Sequence, residues 1–136
     1  MQKIIVGIDE AGRGPLAGPV IAAAFAVLNP KFVLRASNLK LRDSKLLSAI
    51  QRERIYAELY RNPEVEWGIG QVSEKIIDKI NIFQATRLAM KKAVLSLERK
   101  LRNRIEIPLV PQLRDRERKV PVTMIDSLII DGNMLL

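Results

Sequence analysis

Short apolar runs, divided by glycines, prolines and charged clusters, set the rhythm of this chain. Residues 3–9 (KIIVGID) are apolar and β-branched and end in acids and glycines, which predicts a buried strand. Residues 10–18 (EAGRGPLAG) hold three glycines and a proline and read as a loop. Residues 19–28 (PVIAAAFAVL) predict a second strand: its alanines suit a helix, but Gly18-Pro19 and Asn29-Pro30 bracket it as turns bracket a strand. After a polar connection over 37–47, Ser48 with Gln51 three residues on has the form of a capping box. It opens a helix expected over 49–61 that stops at Asn62-Pro63.

Residues 64–72 (EVEWGIGQV) predict a third strand, weakened by Gly68 and Gly70. Ser73 is placed to cap a short helix over 74–79, and Asn81 to cap the longest, over 82–103. In that helix Ile82, Thr86, Ala89, Met90, Ala93, Leu97 and Leu101 fall within about 120° of one another, with Arg87, Lys91, Glu98 and Arg102 opposite. Residues 106–119 (EIPLVPQLRDRERK), with two prolines and a charged run, read as a loop or insertion. A strand is expected to start over 120–125, and residues 127–131 (SLIID) predict another that meets Gly132. The resulting order is an α/β domain with a mixed sheet.

The chain has 136 residues, with 48% hydrophobic content, enough for one domain with its own core. No apolar stretch nears the roughly 20 residues of a membrane span, and nothing at the start resembles a signal peptide, so a cytoplasmic protein without a membrane partner is expected. Cysteine and histidine are both absent. This excludes disulfides, thiolate nucleophiles, zinc fingers, His-liganded metals and the Ser-His-Asp triad. An enzyme built from this alphabet works with carboxylates, lysines, hydroxyls and a hard cation held by oxygen. The net charge of +8 favours a polyanionic partner. Residues 87–119 carry eleven of the basic side chains against four acids, nearly the whole excess.

Asp9-Glu10 is the first candidate for chemistry. Neighbours on a strand point to opposite faces, so the two acids converge only if Glu10 has left the strand. Together they would repel unless a divalent cation joined them; the plain alternative is a solvated acidic turn. Asp131 changes the balance, because it too ends an apolar strand before a glycine. If the two strands lie parallel, all three carboxylates share one end of the sheet, where α/β ligand sites gather. Asp126 lies five residues earlier, at the strand's start, and is the weaker choice.

Gly12-Arg13-Gly14 is the second constellation: the glycines admit a close-lying ligand backbone, and Arg13 can pair with a phosphate. The plain alternative is a simple turn. The motif is neither a Walker loop nor a dinucleotide fingerprint. Asp43-Ser44-Lys45 stays open between a phosphate-holding lysine and ordinary cap residues. Trp67, Tyr56 and Tyr60 are read as core or helix-face residues before base-stacking ones.

The string Gly7-Ile8-Asp9-Glu10-Ala11-Gly12-Arg13-Gly14-Pro15-Leu16-Ala17-Gly18-Pro19-Val20 closely resembles the opening of ribonuclease HII. The resemblance continues in order through Asp43-Ser44-Lys45, Gly68-Ile69-Gly70, Ile77-Asp78, Asn81-Ile82, Ala85-Thr86, Ala89-Met90 and Ile130-Asp131-Gly132-Asn133. It implies a ribonuclease H-like fold with a central mixed sheet flanked by helices. It implies cleavage of the RNA strand of RNA–DNA hybrids, including single ribonucleotides in duplex DNA, as in ribonucleotide excision during replication and repair. The products would be 5′-phosphate and 3′-hydroxyl ends. By position, Asp9, Glu10 and Asp131 match three metal-binding, catalytic carboxylates, with two Mg²⁺ or Mn²⁺ ions as cofactors. Gly12, Arg13 and Gly14 match the loop that reads the ribose 2′-hydroxyl, and Lys45 would join them at the nucleic acid. A monomer is expected. The family's pattern has a fourth carboxylate downstream, so residues 1–136 are expected to be one catalytic domain incomplete at its C-terminus. The alternative is a truncated, catalytically impaired module that binds nucleic acid.

Overall fold

In this computed structural model the described residues are 4–14, 17–29, 31, 44–104 and 127–130. They form four strands and two long helices. Strand β1 is Ile5–Ala11, β2 Val20–Val27, helix α1 Ala49–Tyr60, β3 Val65–Val72, helix α2 Glu74–Arg104 and β4 Ser127–Ile130. A 3-10 turn, Ser44–Leu46, leads into α1. The strands make one sheet in the order β3-β2-β1-β4. β1 and β2 are antiparallel, as are β2 and β3, whereas β4 runs parallel to β1. The mixed sheet expected from the sequence is therefore present. The segments expected at 106–119 and 120–125 lie outside the described residues.

Alternation builds the core. Val6 and Ile8 of β1, and Val20, Ala22, Ala24 and Ala26 of β2, point to one face. That face meets Ala85, Thr86, Ala89, Met90, Ala93, Leu97 and Leu101 of α2, all buried. The helical stripe read from the sequence is the buried one, with Ala85 added and Ile82 at its rim. Buried Thr86 meets its hydroxyl's need inside the helix, donating to the carbonyl of Ile82 at 2.7 Å.

The small residues on the sheet have a purpose that periodicity hides. Gly68 and Gly70 do not weaken β3, which is unbroken through both. A Cβ at Gly70 would overlap the Ala89 carbonyl and the Ala93 nitrogen. One at Gly68 would overlap the Ala93 carbonyl and the Leu97 nitrogen. Glycine is what lets the backbone of α2 lie directly on the strand.

The helix ends follow local chemistry. Ser48 accepts from the Gln51 N–H at 3.2 Å, and Gln51 accepts from the Ser48 N–H at 2.8 Å, closing the capping box. Ser48→Ala is expected to cost about 1 kcal/mol, a small fall in the urea midpoint without a change in slope; an unchanged midpoint would show the cap to be idle. α1 has no buried residue. Its attachment is at its end, where Leu59 packs on Val65, as Phe25, Val27 and Trp67 do. Tyr56, Tyr60 and Trp67 follow one another in ring contact at 5.7 Å spacing. α2 is broken at Asn81, which adopts φ 68° and ψ 165°. The Asn81 side chain accepts from the Gln84 N–H at 3.0 Å, so it caps the second segment as expected.

Candidate metal centre and substrate loop

Strand β1 delivers the acidic pair to one end of the sheet. Here the structure corrects an expectation: the strand does not end at Asp9 but runs to Ala11. Glu10 stays in the ladder opposite Ala22, and Asp9 lies opposite Ala23. The apolar β2 partners offer an uninterrupted ladder, so the strand has no reason to break at the acids. Consequently Asp9 is exposed on the face away from α2, and Glu10 continues the row of Val6 and Ile8.

The pair is connected through the backbone. The Glu10 N–H donates to Asp9 Oδ1 at 2.8 Å. Glu10 Oε1 faces Arg13 Nη1 at 3.4 Å. At this exposure the ion pair is worth under about 1 kcal/mol and is easily exchanged for another partner. Arg13 is thus positioned at the acidic pair, not away from it.

The turn after β1 depends on Gly12. Its φ is 91°, in the left-handed region, and a Cβ there would stand 2.6 Å from the Pro19 carbonyl oxygen. Pro19 passed as a mere strand boundary in the sequence; its carbonyl is what leaves no room at position 12. Gly14 has open space around it and is exposed, and Gly18 repeats the positive φ at 114°. Lys45 is exposed in the 3-10 turn before α1. Asp43 and Asp131 lie outside the described residues.

β4 supplies the other relation the site needs. It pairs in parallel with β1, Val6 opposite Leu128, Gly7 opposite Ile129 and Ile8 opposite Ile130. In the sequence, Ile8 and Ile130 are each followed by an acid, Asp9 and Asp131. Among the described residues no group of three potential ligands is assembled. The donors in question offer oxygen only, and the chain has neither histidine nor cysteine. This chemistry fits a hard divalent ion. Among the described residues no helix is long and apolar enough to cross a membrane.

Comparisons with known proteins bear on the fold and the family. Ribonuclease HII from Pelodictyon phaeoclathratiforme is 40% identical over 132 residues, 96% of this chain and 51% of that protein. The chain therefore spans about half the length of the relatives it matches. The crystal structure of ribonuclease H2 from Pyrococcus horikoshii superposes with a TM-score of 0.56 at 28% identity, over 69% of this chain and 43% of that one. Bst-RNase HIII, solved in complex with Mn²⁺, superposes with a TM-score of 0.57 over 98% of this chain and 38% of that one. At 22% identity it speaks for the fold alone. The fold is ribonuclease H-like, as the sequence implied. The family model for Ribonuclease HII matches residues 6–128, and the chain belongs to that family.

Proposed function

We propose that this chain carries the front part of a hybrid-specific endonuclease, with Asp9, Glu10 and Asp131 as its metal-binding carboxylates. The observation that carries the reading is the parallel register of β4 on β1, which reaches Ile8 opposite Ile130, the residues that precede Asp9 and Asp131 in the sequence. Family membership supports the reaction class, hydrolysis of the RNA strand in RNA–DNA hybrids, and action at single ribonucleotides in duplex DNA is part of the same proposal. Donors that are carboxylate oxygens, in a chain without histidine or cysteine, favour a hard divalent ion, Mg²⁺ or Mn²⁺. When bound, two such ions would supply an activated water and charge stabilisation at the leaving 3′-oxygen.

This chain's own residues then have distinct tasks. Asp9 and Glu10 hold charge at the strand end. The tight turn at Gly12 brings backbone close enough to approach a ribose, whose 2′-hydroxyl distinguishes RNA from DNA. Arg13, weakly held by Glu10, is free to exchange that partner for a phosphate; Gly14 adds open space for the strand, and Lys45 adds a second cation. A soluble monomer in the cytoplasm, serving ribonucleotide removal, belongs to the same reading.

A duplex with a single embedded ribonucleotide, incubated with Mg²⁺ or Mn²⁺, tests it. Cleavage at the ribonucleotide that leaves 5′-phosphate and 3′-hydroxyl ends is expected. Equal cleavage of all-DNA duplex would overturn the reading. Salt-sensitive hybrid binding without turnover, even in excess metal, would favour a binding module of the same family.

A further inference from the structure

Strand β3 is an edge strand among the described residues: its one neighbour in the sheet is β2. Such an edge offers free N–H and carbonyl groups to any other strand. β3 has eight residues, and Ile69 at its centre is 49% exposed. An edge so long and apolar is a template for pairing with a second copy.

Side chains occupy this edge at both ends. Arg104 Nη1 donates to the Val65 carbonyl at 3.1 Å. Lys92 Nζ donates to the Gln71 carbonyl at 3.1 Å. The Trp67 N–H donates to the Glu66 carboxylate at 3.2 Å. Positions 65, 67 and 71 share one parity, so the odd residues turn their backbone groups away from β2. Ile69 has the same parity, and among the described residues it has no such partner.

The cations are themselves held in place. Glu66 pairs with Arg104 at 3.3 Å and with Lys100 at 3.6 Å. Lys100 also lies 5.1 Å from the centre of the Trp67 ring. α2 thus lends its charged side chains to the edge of the strand it covers. A pairing strand would have to displace Arg104 and Lys92 and leave their charges against its own backbone.

We propose that Lys92 and Arg104 close the β3 edge, keeping a second copy of this chain from adding its own β3 to the sheet. The proposal is independent of the catalytic reading. It concerns an interaction the molecule prevents, and it explains why three cations of α2 point along one strand.

Sedimentation velocity over a wide concentration range tests it on three proteins. The unaltered chain is expected to stay monomeric. Lys92→Ala with Arg104→Ala is expected to self-associate about tenfold more tightly or better, with slowed amide exchange at Ile69. Adding Ile69→Pro removes the outward N–H without touching the ladder to β2, and monomer should return. Arg104 also ties down the end of α2, so Lys92→Ala alone is the second arm: it leaves that tie intact and should show weaker association of the same kind. Three results would overturn the proposal: a folded, monomeric Lys92→Ala; association that survives Ile69→Pro; or an unaltered chain that already pairs through β3.

Discussion

Asp9→Asn is expected to remove metal-dependent cleavage by about a thousandfold or more, the several kcal/mol a metal site supplies to a phosphoryl-transfer barrier. Asparagine keeps an oxygen for the Glu10 N–H that Asp9 now accepts at 2.8 Å. The backbone at the strand end is therefore undisturbed, and Asp9 is exposed, so no packing is lost. What disappears is the negative charge. Two measurements separate the charge effect from misfolding: a Mn²⁺ titration of the 136-residue chain followed by calorimetry, and its circular dichroism. The expected pattern is a native spectrum with Mn²⁺ affinity weakened at least about tenfold, one carboxylate being lost from a site of few ligands. Unchanged affinity together with an unchanged rate would remove Asp9 from the site. Glu10→Gln makes a useful contrast. It also releases Arg13, so any gain in hybrid affinity there reports an arginine freed for phosphate.

The largest loss of stability is expected from Gly70→Ala. The added methyl group would fall on the Ala89 carbonyl and the Ala93 nitrogen, both backbone atoms of α2. Backbone cannot swing aside as a flexible side chain does, so the helix must lift from the sheet. The cost should be about 3 kcal/mol or more, the upper part of the range for overpacking. For a domain holding ~5–15 kcal/mol in total, that is a substantial fraction. Urea unfolding followed by tryptophan fluorescence measures it directly, because Trp67 lies on the same strand. An unchanged midpoint would mean that the helix does not rest on Gly70. Gly68→Ala should behave alike, since its methyl group meets the next turn of the same helix.

Some of the candidate site was legible because the chemistry is local. Asp9-Glu10 and Gly12-Arg13-Gly14 are contiguous, and the absence of histidine and cysteine leaves carboxylates as the metal donors. The parallel pairing of β4 with β1 was a condition attached to Asp131, and the structure meets it as far as Ile130. What the sequence leaves out is nonlocal. In the sequence the acids look like a turn that ends β1 early, whereas the β2 partners Ala23 and Ala22 carry the ladder past them. Gly68 and Gly70 looked like weak points because strand propensity takes no account of a helix lying on the strand. In the sequence Lys92 and Arg104 are only members of a basic segment; their carbonyl partners are 21 and 39 residues away.

The order of the described elements, the face of α2 that is buried, the caps at Ser48 and Asn81 and the acidic pair with its glycine turn followed from the sequence by itself. Each depends on residues within a few positions of one another, where periodicity and capping chemistry act. The tertiary structure alone decided that Glu10 stays in the strand, that Pro19 makes glycine obligatory at position 12, that Gly68 and Gly70 are contact points, and that α2's cations reach the β3 edge. These are matters of distance between segments far apart in the chain, and only the packed sheet and helix determine those distances.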